Sequence, residues 1–205
     1  MQKTATKPLK QKNKTTGILN ALRQRRSYYD LEKSIPLSDD QLIALIDDVT
    51  ELVPDSLNMK SARVVIALGE QHDKLWDTIY DVFDGKVKRE KIDTFKAGYG
   101  TILYFYDADL VHRMSDKYPF ARDKFPVWSQ QANAMLQFSV WNALRERGIG
   151  ASLQHYNPVI DDAVKALFDL PGHWTLNAQM PFGAIGSEPA PKEKEDIRQR
   201  VLIRR

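Results

Sequence analysis

Gly148-Ile149-Gly150-Ala151-Ser152-Leu153-Gln154-His155-Tyr156-Asn157-Pro158 is the stretch on which the fold turns. It follows a long apolar run, Trp128 to Arg147, so Gly148 reads as the left-handed residue that ends a helix. Ala151 to Tyr156 reads as a short strand, and Pro158 as the first-turn proline of a helix running to Leu170. The two glycines open like a dinucleotide-binding fingerprint. Leu153 stands where the last glycine is needed, however, and the stretch follows a helix instead of a strand, which excludes that motif.

The helix before this stretch carries Ala132, Ala134, Met135, Leu136, Phe138, Val140, Trp141, Ala143 and Leu144 around much of its circumference. Such a helix is central or lies at a subunit interface. Further upstream, Thr101 to Tyr106 is a strand preceded by turn-prone Gly98 and Gly100, and Val64 to Leu68 is another, ended by Gly69. Leu75, Trp76, Ile79, Tyr80 and Phe83 form the stripe of a helix between them. Pro36 marks a break. Ser38 with Gln41 then makes a capping box for a helix carrying Leu42, Ile43, Leu45, Ile46 and Val49, which Pro54 stops. Ile18 to Arg26 is the first helix. Downstream, Gln179 to Gly186 is a last core strand, bent by Pro181. The tail from Pro189 is polar until Val201-Leu202-Ile203, a β-like triplet suited to an arm that pairs with something else. There is no internal repeat. Helices with a few separated strands indicate α+β or three-layer α/β.

Length and composition suit one domain at 17–205, preceded by a flexible basic arm at 1–16 that holds Lys3, Lys7, Lys10, Lys12 and Lys14. A basic arm can touch nucleic acid, but no zinc-finger or RNP pattern supports that role. With 42% hydrophobic and 28% charged residues the chain has a core and stays in solution. No apolar run spans a bilayer, and no apolar segment follows the basic start as a secretory signal requires, so a cytoplasmic protein is expected. The absence of cysteine removes disulfides, thiolate zinc sites and thiol nucleophiles. There is no phosphate-binding P-loop, no GxSxG elbow and no HExxH. His72, His112, His155 and His173 are scattered, so no metal site is expected. Asp39-Asp40 and Asp161-Asp162 fall in first helical turns, where they complement the dipole.

Four segments remain: Arg25-Arg26-Ser27-Tyr28-Tyr29; Pro54-Asp55-Ser56-Leu57-Asn58-Met59-Lys60-Ser61-Ala62-Arg63; the opening stretch; and Pro181-Phe182-Gly183-Ala184-Ile185-Gly186 with the later Lys192 and Arg200. Each has an ordinary alternative: a basic helix end, a helix-to-strand loop, a half-buried histidine, a solvated charge run. Taken in order and spacing, they resemble the FMN-dependent nitroreductase family over roughly Arg25 to Ile203. The nearest subgroup is the small fungal and bacterial one that includes the fatty-acid-repression-mutant and copper-induced types. Leu153 to Pro158 is the most specific match, and Gly98-Tyr99-Gly100-Thr101-Ile102 also fits the subgroup.

The resemblance implies an α+β, nitroreductase-like three-layer sandwich. Its mainly antiparallel central sheet is flanked by helices, and a C-terminal arm reaches the partner subunit of a homodimer. It implies FMN as cofactor. Arg25, Arg26 and Ser27 then grip the phosphate and ribityl chain, and Lys192 and Arg200 lie near the phosphate end. Asn58, Lys60 and Ser61 belong to the loop at the pyrimidine edge, and a backbone N–H near Gln154 and His155 points at flavin N5. The chain departs from the family pattern at Asp55, where Ser is usual, and at Lys60, where Gln is usual. A cation at Lys60 still suits the anionic reduced ring. NADH or NADPH is the expected donor and a nitroaromatic, quinone or dye the acceptor, in ping-pong order. The flavin carries the chemistry, so no catalytic side chain is expected. Tyr118, Phe125 and Trp128 are candidates for the substrate side. The alternative is a flavin-binding or oxidative or metal stress-response protein of the same fold that catalyses nothing quickly.

Overall fold

The computed structural model describes residues 17–205, so the basic arm expected at 1–16 lies outside the described residues. In chain order the elements are α1 Gly17–Gln24, β1 Leu31–Glu32, α2 Asp39–Leu52, β2 Ala62–Leu68, α3 Gly69–Phe83, α4 Arg89–Lys96, β3 Gly100–Asp107, α5 Ala108–Lys117, α6 Phe125–Glu146, β4 Gly150–Ala151, α7 Asp161–Leu167 and β5 Trp174–Ile185. Short 3-10 turns lie at Ser56–Asn58, Pro119–Lys124 and Ile197–Gln199.

The sheet has the order β1-β5-β3-β2, with β4 also joined to β5, and its paired strands are antiparallel. β3 is buried on both faces, and its alternation divides the core. Ile102 and Tyr104 join Ala178, Met180 and Phe182 of β5 under α2 and α6. Leu103 and Phe105 join Leu176 under α3, α4 and α7. Helices therefore cover both faces, and the three-layer α+β sandwich with an antiparallel sheet is borne out.

The capping box forms as read, with Ser38 Oγ accepting from Gln41 N–H and Gln41 accepting from Ser38 N–H. Gly148 has φ +79° and closes α6. Other readings need correction. The strand expected over Ala151–Tyr156 keeps only Ala151, in the two-residue β4 that starts at Gly150, plus one bridge, Gln154 to Gln179; beyond that bridge the Tyr156 N–H meets the Gln179 side chain instead of a backbone carbonyl. Pro158 does not open α7. It sits in the turn before it, and the helix starts at Asp161. β5 begins at Trp174, five residues earlier than expected. Its irregularity in register falls at Asn177, opposite Tyr104 and Phe105, while Pro181 keeps its pairing with Thr101. Among the described residues no helix is long and apolar enough to cross a membrane.

Candidate functional site

The arginine segment meets the opening stretch through a single carbonyl. Arg25 N–H donates to Ala21 O in the last bond of α1, after which the chain extends. Tyr28 N–H then donates to Ala151 O at 3.0 Å, and Trp141 Nε1 of α6 donates to the same oxygen at 3.1 Å. Gly150 has to be glycine here, because a Cβ would lie 3.1 Å from Tyr28 Cβ and 2.7 Å from an Ile185 methylene. Arg25 lies 4.4 Å from the centroid of Trp141, a cation–π seat, and Arg26 donates to Ala190 O at 2.6 Å. This second bond draws the tail to the site across 164 residues of sequence.

The Nε atoms of Arg25 and Arg26 are buried and have no acceptor among the described residues. Burial lowers the pKa of Arg25, and the neighbouring Arg26 charge lowers it further. Two adjoining guanidinium groups with unmet donors make chemistry that fits an anion such as a phosphate. Ser27 is half-buried beside them. Lys192 is exposed two residues beyond Ala190. Arg200 is also exposed, in a surface hollow with Glu193, Lys194 and Glu195. Among the described residues no hydrogen bond or ion pair joins it to the arginine pair.

Along the opening stretch, alternate residues face β5. Ser152 N–H donates to Pro181 O, Gln154 N–H to Gln179 O, and Tyr156 N–H to Gln179 Oε1. The N–H groups of Leu153 and His155 fall between these and meet no acceptor among the described residues. Of the two residues expected to supply an outward N–H, Gln154 has used its own on the sheet. Its side chain turns to Ser152 Oγ. His155 is exposed.

The loop from Pro54 to Arg63 is shaped by Asp55. Its Oδ2 accepts from Ser61 N–H at 2.8 Å and from Ser61 Oγ at 2.7 Å, so Ser61 is fully buried and turned into the loop. Leu57, Asn58 and Lys60 take left-handed backbone at φ +53°, +52° and +54°, a costly conformation for residues with a Cβ. Asn58 and Lys60 thereby line a cleft of about 150 Å³ with Glu51, Pro54 and Arg63. Lys60 Nζ is 2.9 Å from Glu51 Oε1. Arg63 donates to Lys60 O and Ala62 O and pairs with Asp107 at 2.8 Å. Leu136 of α6 closes the cleft, and Trp141, the seat of Arg25, lies about 7.5 Å further along that helix. One helix thus supports both ends of the candidate site.

Phe125 is fully buried, stacked on Tyr118 at 5.9 Å and edge-on to Trp128 at 5.1 Å. It is a core ring that supports its half-buried neighbours, so it offers no substrate surface of its own. Phe120, 85% exposed and edge-on to Tyr118, was not singled out from sequence, because the Pro-punctuated stretch shows no periodicity. Met59 packs into this aromatic cluster and ties it to the cleft loop.

The Nitroreductase family model matches residues 22–184. Nitroreductase FRM2 of Saccharomyces cerevisiae is 26% identical over 181 residues, covering 87% of this chain and 93% of that protein. Nitroreductase CinD from Lactococcus lactis, solved in complex with chloramphenicol and also with 4-nitrophenol, is 34% identical. Superposed on the chloramphenicol complex, the chain gives a TM-score of 0.87 over 92% of its own length and 100% of the other. A protein of Exiguobacterium sibiricum solved in complex with FMN is 12% identical and shares the fold, with a TM-score of 0.71 over 100% of each chain.

Proposed function

The chain belongs to the Nitroreductase family, and on that premise we propose that it is an FMN-dependent oxidoreductase, homodimeric and cytoplasmic. It takes electrons from NADH or NADPH and delivers them to nitroaromatics, quinones or related acceptors in alternating half-reactions. The observation that carries the reading is the pair of buried Nε donors on Arg25 and Arg26 with no acceptor among the described residues.

Bound FMN supplies the hydride chemistry. Arg25 and Arg26 would hold its phosphate through their guanidinium donors, with Ser27 adding a hydroxyl and Lys192 and Arg200 adding charge from the tail. Of Gln154 and His155, His155 has its N–H left and would offer it to ring N5. Asn58 and Lys60 would serve the pyrimidine edge from their cleft, where the ammonium, on leaving Glu51 for the flavin, would favour negative charge on the ring. Ser61 acts by holding the loop. Tyr118, Trp128 and Phe120 offer apolar surface to an acceptor. That CinD is solved with chloramphenicol and 4-nitrophenol, both nitroaromatic, supports this acceptor class.

The purified protein is expected to be yellow and to release one FMN per subunit on denaturation. Anaerobic stopped-flow mixing with NADH is expected to bleach the flavin, and a nitroaromatic to restore it. A colourless protein that takes up no FMN would overturn the reading. A yellow one that NADH and NADPH bleach only over hours would point to the binding or stress-response alternative.

A further inference from the structure

Gln179 stands in the middle of β5 with no exposed surface, and its polar groups serve one segment. Its backbone exchanges two hydrogen bonds with Gln154, at 2.7 and 3.0 Å. Its side-chain Oε1 accepts from Tyr156 N–H at 2.8 Å, and its Nε2 donates to Asn157 Oδ1 at 3.2 Å. The amide cannot be reversed without setting Nε2 against the Tyr156 N–H, donor to donor.

The ladder between β4 and β5 has ended by this point, and Gln154–Gln179 is an isolated bridge beyond it. The next rung would need a backbone carbonyl for the Tyr156 N–H. The Gln179 side chain takes that place from within the core. With residues 154 and 156 both tied to Gln179, the peptide between them has little freedom, and the His155 N–H is turned away from the sheet. A buried donor left without this acceptor would be costly, so the contact is held firmly.

We propose that Gln179 is a positioning residue that fixes the direction of the His155 N–H, the donor a bound flavin meets. The proposal rests on the FMN reading above. It is tested with two variants of the full chain. Q179L has similar size but neither polar contact. Q179E, buried as the neutral acid, keeps the acceptor for Tyr156 and an O–H donor for Asn157.

In the cofactor-free protein, hydrogen exchange at the Tyr156 amide is expected to accelerate tenfold or more in Q179L and to stay near wild type in Q179E. FMN titration is expected to show about fivefold weaker binding in Q179L. The limiting rate of flavin bleaching by NADH falls in Q179L while the apparent NADH affinity holds within about twofold, and Q179E recovers most of the rate. Wild-type exchange and wild-type rate in Q179L would overturn the proposal. So would an equal loss of rate and NADH affinity that Q179E does not rescue, which marks a packing role. If Q179L does not fold, Q179E decides: Tyr156 protection lost while the rate is kept overturns the proposal. A wild-type chain that takes up no FMN overturns the cofactor reading, and the exchange comparison still decides whether Gln179 holds the segment.

Discussion

His72 has 1% of its surface exposed, and its hydrogen bonds reveal its tautomer. Nε2 lies 3.2 Å from Lys96 O, which can only accept, so Nε2 carries the proton. Trp76 Nε1 donates to Thr101 Oγ1, and the Thr101 hydroxyl is left to donate to His72 Nδ1 at 2.9 Å. The neutral ring is therefore built into the core between α3 and β3. Burial lowers its pKa from 6.5 to about 4, opposed by the Lys96 carbonyl and by Asp73. The unfolded chain takes up the proton near pH 6.5 and the folded chain only near pH 4. The contribution to stability is therefore complete above about pH 6.5, is lost as pH falls toward 4, and changes no further below that. At about 1.4 kcal/mol per pKa unit the loss is roughly 3 kcal/mol. Urea midpoints at pH 7.5 and 4.5 should show the drop in wild type and a smaller one in His72→Gln; equal drops would remove the assignment. A second test at this scale concerns Arg25, whose stack on Trp141 and Nε donor both depend on a planar guanidinium. Arg25→Lys keeps the charge and loses both features, so FMN affinity should fall about tenfold with little change in unfolding midpoint. Unchanged affinity in a calorimetric titration would mean that charge alone matters there.

Among the elements, the loop from Pro54 to Arg63 shows what sequence could and could not reveal. Asp55 read as a departure from the family pattern because Ser is usual there, and its role stayed hidden because its partner Ser61 is six residues away and no short-range rule joins them. In the fold it is the acceptor that buries Ser61 and lets Leu57, Asn58 and Lys60 hold left-handed backbone. Asp55→Ala would leave a buried N–H and hydroxyl unmet, lowering stability by about 1–3 kcal/mol. Thermal unfolding should register that loss, and FMN titration a weaker complex; a variant as stable as wild type would deny Asp55 this role. The capping box at Ser38 and Gln41 and the glycine stop at Gly148 were legible because both are local chemistry. α4 was not, since only Ile92 and Phe95 of its eight residues are buried and the rest are polar. α5 was hidden because it continues directly from β3 at Asp107, which caps it, with no turn residue between them. The early part of β5 carries an extra residue at Asn177 that breaks its alternation. Gln179 gave no signal either, as a glutamine inside a strand is unremarkable until its four bonds to the 154–157 segment are seen.

Across the whole molecule, the divided duty of α6 links the core to assembly. Ser129, Ala132, Asn133, Leu136, Gln137, Val140 and Leu144 face inward, with Asn133 donating to Phe105 O. Val127, Met135 and Phe138 are about half exposed, and their spacing puts them within one outer arc of the helix. Ile18 and Leu19 of α1 are exposed as well, and so are Val201, Leu202 and Ile203 of the tail. Scattered exposed apolar residues are ordinary, but a helical stripe beside an apolar groove with α1 is the surface a two-fold partner would bury. Arg25 lies against Phe138 and Trp141 of this same helix, so the outer face of α6 adjoins the candidate phosphate site. If dimerisation covers this face, a charge on it should separate subunits and weaken cofactor binding together. Met135→Glu leaves the inward face intact, so the fold should survive by circular dichroism. Light scattering should show a monomer where wild type is a dimer, and FMN affinity should fall at least tenfold. A monomeric variant with full FMN affinity would place the whole cofactor site within one subunit, whereas an unperturbed dimer would move the interface off α6.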